Sequence, residues 1–160
     1  MGGQHYFSKK HIMSVDIHSH FMREALKEAQ KAYEKNEVPV GAVIVYDNKI
    51  IARSHNLTEQ LNDVTAHAEI LAITAATTHI GSKYLKDCSI YVTIEPCPMC
   101  AGAIGWAQLS TLIFGAYDLK KGYTLFSENI LHPKTEVIKG VMADECAQII
   151  QQFFQERRKK

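Results

Sequence analysis

Two short stretches thirty residues apart constrain this chain more than anything else in it: His67-Ala68-Glu69 and Pro96-Cys97-Pro98-Met99-Cys100. One imidazole and two thiols are good zinc ligands, and a helix is expected to start at each stretch. The fold must then bring two helix starts together so that His67, Cys97 and Cys100 share one ion. Three protein ligands leave one position of a tetrahedral zinc open for water, the ligand count of a catalytic site. The competing reading is a structural zinc closed by a fourth protein ligand. Cys88, Cys146, His55 and His132 are available for that role, but none sits at a paired ligand spacing.

The spacing also carries chemistry. Cys97 and Cys100 are three apart, so on a first helical turn their sulfurs project from one face. Pro98 suits the first helical position, where its missing N–H would be unpaired anyway. The partial positive charge and free N–H groups of a helix start favour thiolate, which zinc also demands. Glu69 lies two positions beyond His67 and does not project as a fellow ligand would. It can stand beside the open zinc position, take a proton from water and hand it to a leaving group. The plainer alternative is a solvated glutamate that favours the helix dipole.

Around these stretches the pattern alternates. Phe21, Ala25, Leu26, Ala29, Ala32 and Tyr33 recur at helical spacing over 20–35, and Asn36 and Pro39 end that helix. Residues 40–46 form a β-branched run, Asp47-Asn48 a turn, and 50–54 the second strand of a hairpin. A polar loop, 55–63, precedes the first half of the site. Thr65 is expected as the N-cap of a second helix running to about residue 78. An apolar strand over 89–94 runs straight into Glu95-Pro96-Cys97, and a third helix covers 98–108. Another strand spans 111–116, then come a loop over 117–134, a short strand at 136–139 and a closing helix over 143–160. Ile149, Ile150, Phe153 and Phe154 are the expected buried face of that last helix. The alternation predicts an α/β domain with helices against one sheet.

At 160 residues the chain is one domain, long enough to bury a core. The net charge of +1 indicates no whole-molecule attraction to nucleic acid, so such binding would need a local patch. Four cysteines, two of them in one Cys-x-x-Cys, suggest no disulfide framework and fit a reducing, cytoplasmic setting. Residues 1–16 read as a disordered or extended leader, leaving 17–160 as the single domain. The first twenty residues hold no apolar segment of a secretory signal, and no run is long enough to span a membrane. His18 and His20 form a His-x-His without a partner carboxylate and are taken as a polar approach to the first helix.

His-x-Glu followed by Pro-Cys-x-x-Cys is the signature of zinc-dependent nucleobase deaminases, in which the Glu is the acid/base and not a ligand. More closely, the chain resembles bacterial tRNA-specific adenosine deaminases of the cytidine deaminase-like superfamily, from about residue 21 to residue 159. The matching stretches include Glu37-Val38-Pro39-Val40-Gly41-Ala42, Thr65-Ala66-His67-Ala68-Glu69-Ile70 and Tyr91-Val92-Thr93-Ile94-Glu95-Pro96-Cys97. They continue through Met99-Cys100-Ala101-Gly102-Ala103, Phe114-Gly115-Ala116 and Ala143-Asp144-Glu145-Cys146 to Phe153-Phe154 and Arg157-Arg158.

The resemblance implies a three-layer α/β/α fold with a central mixed five-stranded sheet flanked by helices, a homodimer, and one zinc per chain. It implies hydrolytic removal of the 6-amino group of adenosine, converting the tRNA wobble adenosine to inosine, with the anticodon stem-loop as partner. Carried over by position, His67, Cys97 and Cys100 hold zinc, and Glu69 shuttles protons for the zinc-activated water. Asn56 hydrogen-bonds the flipped base, the backbone around Ala68 reads the base edge, and Asp118 contacts the substrate backbone. The plainer alternatives are a loop-turn asparagine at 56 and a capping aspartate at 118.

The chain departs from the family after Asp118. A Gly-Ser-Leu run and a later Asn-His are usual there; this chain instead has Lys120-Lys121-Gly122-Tyr123-Thr124-Leu125-Phe126, then Leu131-His132-Pro133. Pro98 and Trp106 also occur in guanine deaminases of the superfamily, although Trp106 is expected simply as a core anchor on a helix face. A deaminase of free guanine, cytosine or a related base is therefore the alternative, with a pocket lidded by Tyr123 or Phe126. A non-catalytic zinc-binding subunit is a third reading, against which the intact Glu69 argues. An RNA substrate would use a basic groove drawn from Lys120, Lys121, Arg157, Arg158, Lys159 and Lys160, unless the terminal run is a solvated helix tail.

Overall fold

Within the run Gly41–Tyr46 (β1), Ala42 and Ile44 face one apolar layer while Val43 and Val45 face another. Both faces of this strand are buried, which is why its sequence is continuously apolar rather than alternating. The computed structural model of the chain describes residues 3–159, with side chains described from residue 17 onward. The other strands are Lys49–His55 (β2), Cys88–Ile94 (β3), Thr111–Ala116 (β4) and Glu136–Lys139 (β5). They form one sheet in the order β2-β1-β3-β4-β5. β1 is antiparallel to β2 and β3, whereas β3–β4 and β4–β5 are parallel, so the sheet is mixed.

Four helices cover it: Gly3–Glu34 (α1), Ala68–Ile80 (α2), Pro98–Ala107 (α3) and Ala143–Arg158 (α4). α2 and α3 pack Ala68, Ala72, Ala101 and Ile104 on Ile44, Ile90, Val92, Leu112 and Phe114. α1 and α4 bring Phe21, Met22, Ala25 and Cys146 to the opposite face, against Val43, Tyr91 and Ile113. This is the three-layer α/β/α arrangement expected, with a mixed five-stranded sheet at its centre. Each fully buried Leu, Ile or Phe in these layers contributes roughly 1.5–3 kcal/mol relative to exposure. Among the described residues no helix is long and apolar enough to cross a membrane.

Local chemistry explains the joints. Asp47 and Asn48 take φ of 50° and 59°, the left-handed pair that a two-residue hairpin turn requires. Gly41 has no room for a Cβ because the α1 backbone at Ala25 and Ala29 lies against it, so α1 crosses β1 closely. Gly81, at φ 77°, ends α2 by donating its N–H to Thr77 O.

Several expectations shift. The first helix starts well before residue 20, at Gly3, within the stretch expected as a leader; residues 1–2, and the side chains through residue 16, lie outside the described residues. The N-cap of α2 is His67, not Thr65, because Asp63 Oδ1 accepts both the N–H and the hydroxyl of Thr65 and holds it in a turn. On α4, Phe153 is buried as expected, but Phe154 is 40% exposed because it lines an open cleft. Trp106 is not a core anchor: it is 83% exposed on the outer face of α3, while Ile104 and Ala107 point inward. His18 serves the packing, its Nδ1 lying 2.7 Å from the Tyr91 hydroxyl.

Candidate active site

The topology delivers the site. β2 and β4 run toward the same edge of the sheet as β3, since β2 and β3 are both antiparallel to β1 and β3 and β4 are parallel. Asn56 follows the end of β2, Glu95 and Cys97 follow β3, and Tyr117 and Asp118 follow β4. α2 and α3 both start at this edge, with His67 and Cys97 as their N-caps in extended conformation. Neither side chain makes a capping hydrogen bond to its helix, and the two turn toward each other instead.

Their arrangement fits a metal. The His67 nitrogen and the Cys97 and Cys100 sulfurs lie within 4.8 Å of one another. His67 Nδ1 is 3.5 Å from Cys100 Sγ and 3.7 Å from Cys97 Sγ. With zinc–nitrogen and zinc–sulfur bonds of about 2.0 and 2.3 Å, a tetrahedral N···S edge measures about 3.5 Å. Among the described residues no fourth donor joins them. The candidates for a closed site are placed elsewhere: Cys88 at the start of β3, Cys146 on α4, His132 beside Lys134, and His55 against Glu28. The group therefore has the donor set and count that leave one position open.

The electrostatics suit it. Hydrogen bonding from Cys100, then from His67, draws the Cys97 thiol down to about 4 against the effect of burial. The Cys100 thiol is pushed up, first by that same bond to Cys97 and then by burial. His67 is raised, first by its hydrogen bond with Cys97. Glu69 is only 3% exposed, and burial lifts its carboxyl above the ordinary range.

A cleft of about 650 Å³ opens over these groups. It is lined at depth by Asn56, His67, Ala68, Glu69 and Cys97, and farther out by Tyr117, Asp118, Lys120, Lys121 and Arg158. All the expected substrate contacts are thus brought together. The Asn56 amide donates to Val38 O and its carbonyl accepts from Thr58 N, both at 3.3 Å, which leaves one N–H and one lone pair over. Ala68 opens α2, where a backbone N–H has no partner within the helix. Asp118 Oδ1 caps its own loop, accepting from Lys120 N and Lys121 N at 3.0 Å, as the plainer alternative held. Arg157 is spent on structure, donating to Asn36 O and stacking on Phe153. The Tyr123 and Phe126 side chains form no lid over the cleft: Tyr123 is buried in the core and Phe126 is 66% exposed away from it.

Two residues escaped the sequence. Glu37, fully buried, accepts Glu59 N and Gln60 N at 2.9 Å each and so fixes the loop beyond Asn56. Glu95, 2% exposed, accepts Asp118 N, Thr124 N and the Thr124 hydroxyl. The family stretches contain both, but nothing local to either marks a buried anchor.

The chain is similar to known proteins along most of its length. Residues 17–158 match the family model of MafB19-like deaminases. The tRNA-specific adenosine deaminase of Streptococcus pyogenes is 43% identical over 152 residues, covering 92% of this chain and 96% of that protein. The Bacillus subtilis protein of the same name is 46% identical over 145 residues, covering 88% and 90%.

The chain belongs to the tRNA-specific adenosine deaminase family.

A solved structure from work on A-to-I editing by tRNA wobble-position deaminases shares 47% identity with it at a TM-score of 0.77. The match covers 81% of this chain and 98% of that one. Family membership and the His67, Cys97 and Cys100 group agree on a deaminase with a metal-capable centre.

Proposed function

We propose that this protein is a hydrolytic deaminase that converts adenosine to inosine at the wobble position of tRNA. The observation that carries the reading is Glu69, buried beside a three-donor group deep in a cleft whose outer part holds Lys120, Lys121 and Arg158. The relatives' names give the substrate class. One zinc per chain, held by His67, Cys97 and Cys100, would supply a water of lowered pKa in its open position.

The chain's own groups then have distinct work. Glu69, its carboxyl raised by burial, accepts a proton from the attacking water and delivers it to the amino group as the C–N bond breaks. Water contributes the oxygen, and ammonia leaves. The spare N–H and lone pair of Asn56 and the free N–H at Ala68 orient the base edge. With Asp118 Oδ1 already engaged, contact with the substrate backbone falls to Oδ2. Lys120, Lys121 and Arg158 are the local basic patch that a chain of net charge +1 needs for RNA. The homodimer implied by the family resemblance, and the cytoplasmic setting that four free cysteines favour, belong to the same proposal.

The test offers zinc-loaded protein a tRNA with a wobble adenosine, then guanine, adenine and cytosine, beside Glu69→Ala. Inosine in the tRNA with the parent and none with the variant is the expected result. Turnover of a free base alone would overturn the tRNA assignment, and inactivity on every substrate would overturn the enzyme.

A further inference from the structure

The segment that carries Cys97 also holds the opposite wall of the cleft. Glu95 directly follows β3, its own N–H bonded to Ala116 O at 2.8 Å. The residue is 2% exposed and belongs to the lining of the cleft, but both carboxylate oxygens are engaged by the loop that follows β4. Oε1 accepts from Asp118 N at 3.4 Å; Oε2 accepts from Thr124 N at 3.1 Å and from Thr124 Oγ1 at 2.8 Å. One residue on, Pro96 O accepts from Tyr123 N at 2.9 Å. Gly122 has no room for a Cβ, because the Glu95 carboxylate occupies that space. The loop from Asp118 to Thr124 is thereby held at both ends by two consecutive residues of the segment that leads from β3 to Cys97. It lifts Lys120 and Lys121 along the cleft while leaving Leu119, 85% exposed, at its tip.

A buried carboxylate is costly unless its acceptors are filled by donors. Here every donor comes from one loop, and none of the bonds reaches the reacting centre. We infer that Glu95 is a positioning residue that fixes the Asp118–Lys121 wall for RNA, and so governs how strongly the polymeric substrate is held rather than how fast it is converted. This deepens the proposed function and rests on it. The amide of Glu95→Gln would set an N–H against either Asp118 N or the Thr124 donors. Gly122→Ala would push the loop from the carboxylate without altering it, and Thr124→Val would remove one of the bonds.

The experiment measures kcat and KM on an anticodon stem-loop RNA for the zinc-loaded parent, Glu95→Gln, Gly122→Ala and Thr124→Val. Zinc content, melting temperature and amide exchange at Lys120, Lys121 and Thr124 are followed in parallel. KM is expected to rise about tenfold in Glu95→Gln and Gly122→Ala and less in Thr124→Val, with kcat within about twofold and zinc retained. Loop amides should exchange faster in all three. A fall in kcat at unchanged KM would overturn the inference, as would faster loop exchange with unchanged kinetics. Should Glu95→Gln fail to fold, Gly122→Ala and Thr124→Val decide it. A parent inactive on RNA overturns the proposed function and this inference together; an active parent with unaltered variants overturns this inference alone.

Discussion

His67 Nδ1 lies 3.5 Å from Cys100 Sγ, across the gap between the first turns of α2 and α3. The two residues are 33 apart in sequence, so only the packing of these helices on a shared face of the sheet can hold them at that spacing. A metal held there would tie the two helices together as well as serve the proposed reaction.

Removal of the metal should therefore be felt twice. Chelation, or Cys97→Ser, is expected to lower zinc from one per chain to a small fraction, cut activity at least about a hundredfold and lower the melting temperature. Metal analysis with thermal unfolding checks this. Full activity at negligible zinc would exclude the assignment.

Glu69 separates binding from chemistry. Glu69→Gln keeps the shape of the side chain but not the proton transfer, so kcat should fall roughly a hundred- to ten-thousand-fold while zinc stays bound. Loss of zinc in that variant would instead make Glu69 part of the metal's support.

Glu28 makes stability depend on pH. It is 3% exposed, and burial alone would raise its pKa. Hydrogen bonds from Lys31 and His55, at 2.9 and 3.0 Å, together outweigh burial and hold it below the ordinary 4.5. A depressed folded pKa contributes stability above the unfolded value and loses it as pH falls through the folded one. Urea unfolding should show Glu28→Gln about 1–3 kcal/mol less stable near neutrality, the gap closing below pH about 4.5. A gap independent of pH would refute this.

Burial also ranks the apolar residues. Leu112, fully buried between the layers, should cost about 2–5 kcal/mol on truncation to Ala, whereas exposed Trp106 should cost about 0.5 kcal/mol or less. Comparable losses for the two in chemical denaturation would mean that Trp106 is covered in solution.

What could be read in advance follows from the range of each interaction. The runs at 89–94 and 111–116 declare themselves as strands because both faces of the sheet are covered, and β4 and β5 begin and end where their patterns do. The metal-capable group was legible because its residue types and helix-start positions are all local signals. Trp106 misled because apolar residues being found inside is a one-way tendency, and an outward helix position can carry a large ring. Thr65 looked like a cap until Asp63 claimed it. Glu37 and Glu95 look like ordinary surface charges; their donors are backbone N–H groups 22 to 29 residues away, which no periodicity records.

Because β1 pairs Tyr46 with Cys88, and β3 pairs Ser89 with Thr111, the Asp47-Asn48 turn and the entries to β3 and β4 all lie at the sheet edge remote from His67 and Glu69. The reactive edge is tightly specified, while connections such as the exposed stretch from Gly81 to Tyr84 lie at the far edge. Growth of the polypeptide, by a longer hairpin or a whole grafted module, has a place to occur there without passing through the chemistry. The architecture thus separates heritable tolerance from catalysis by the length of a strand.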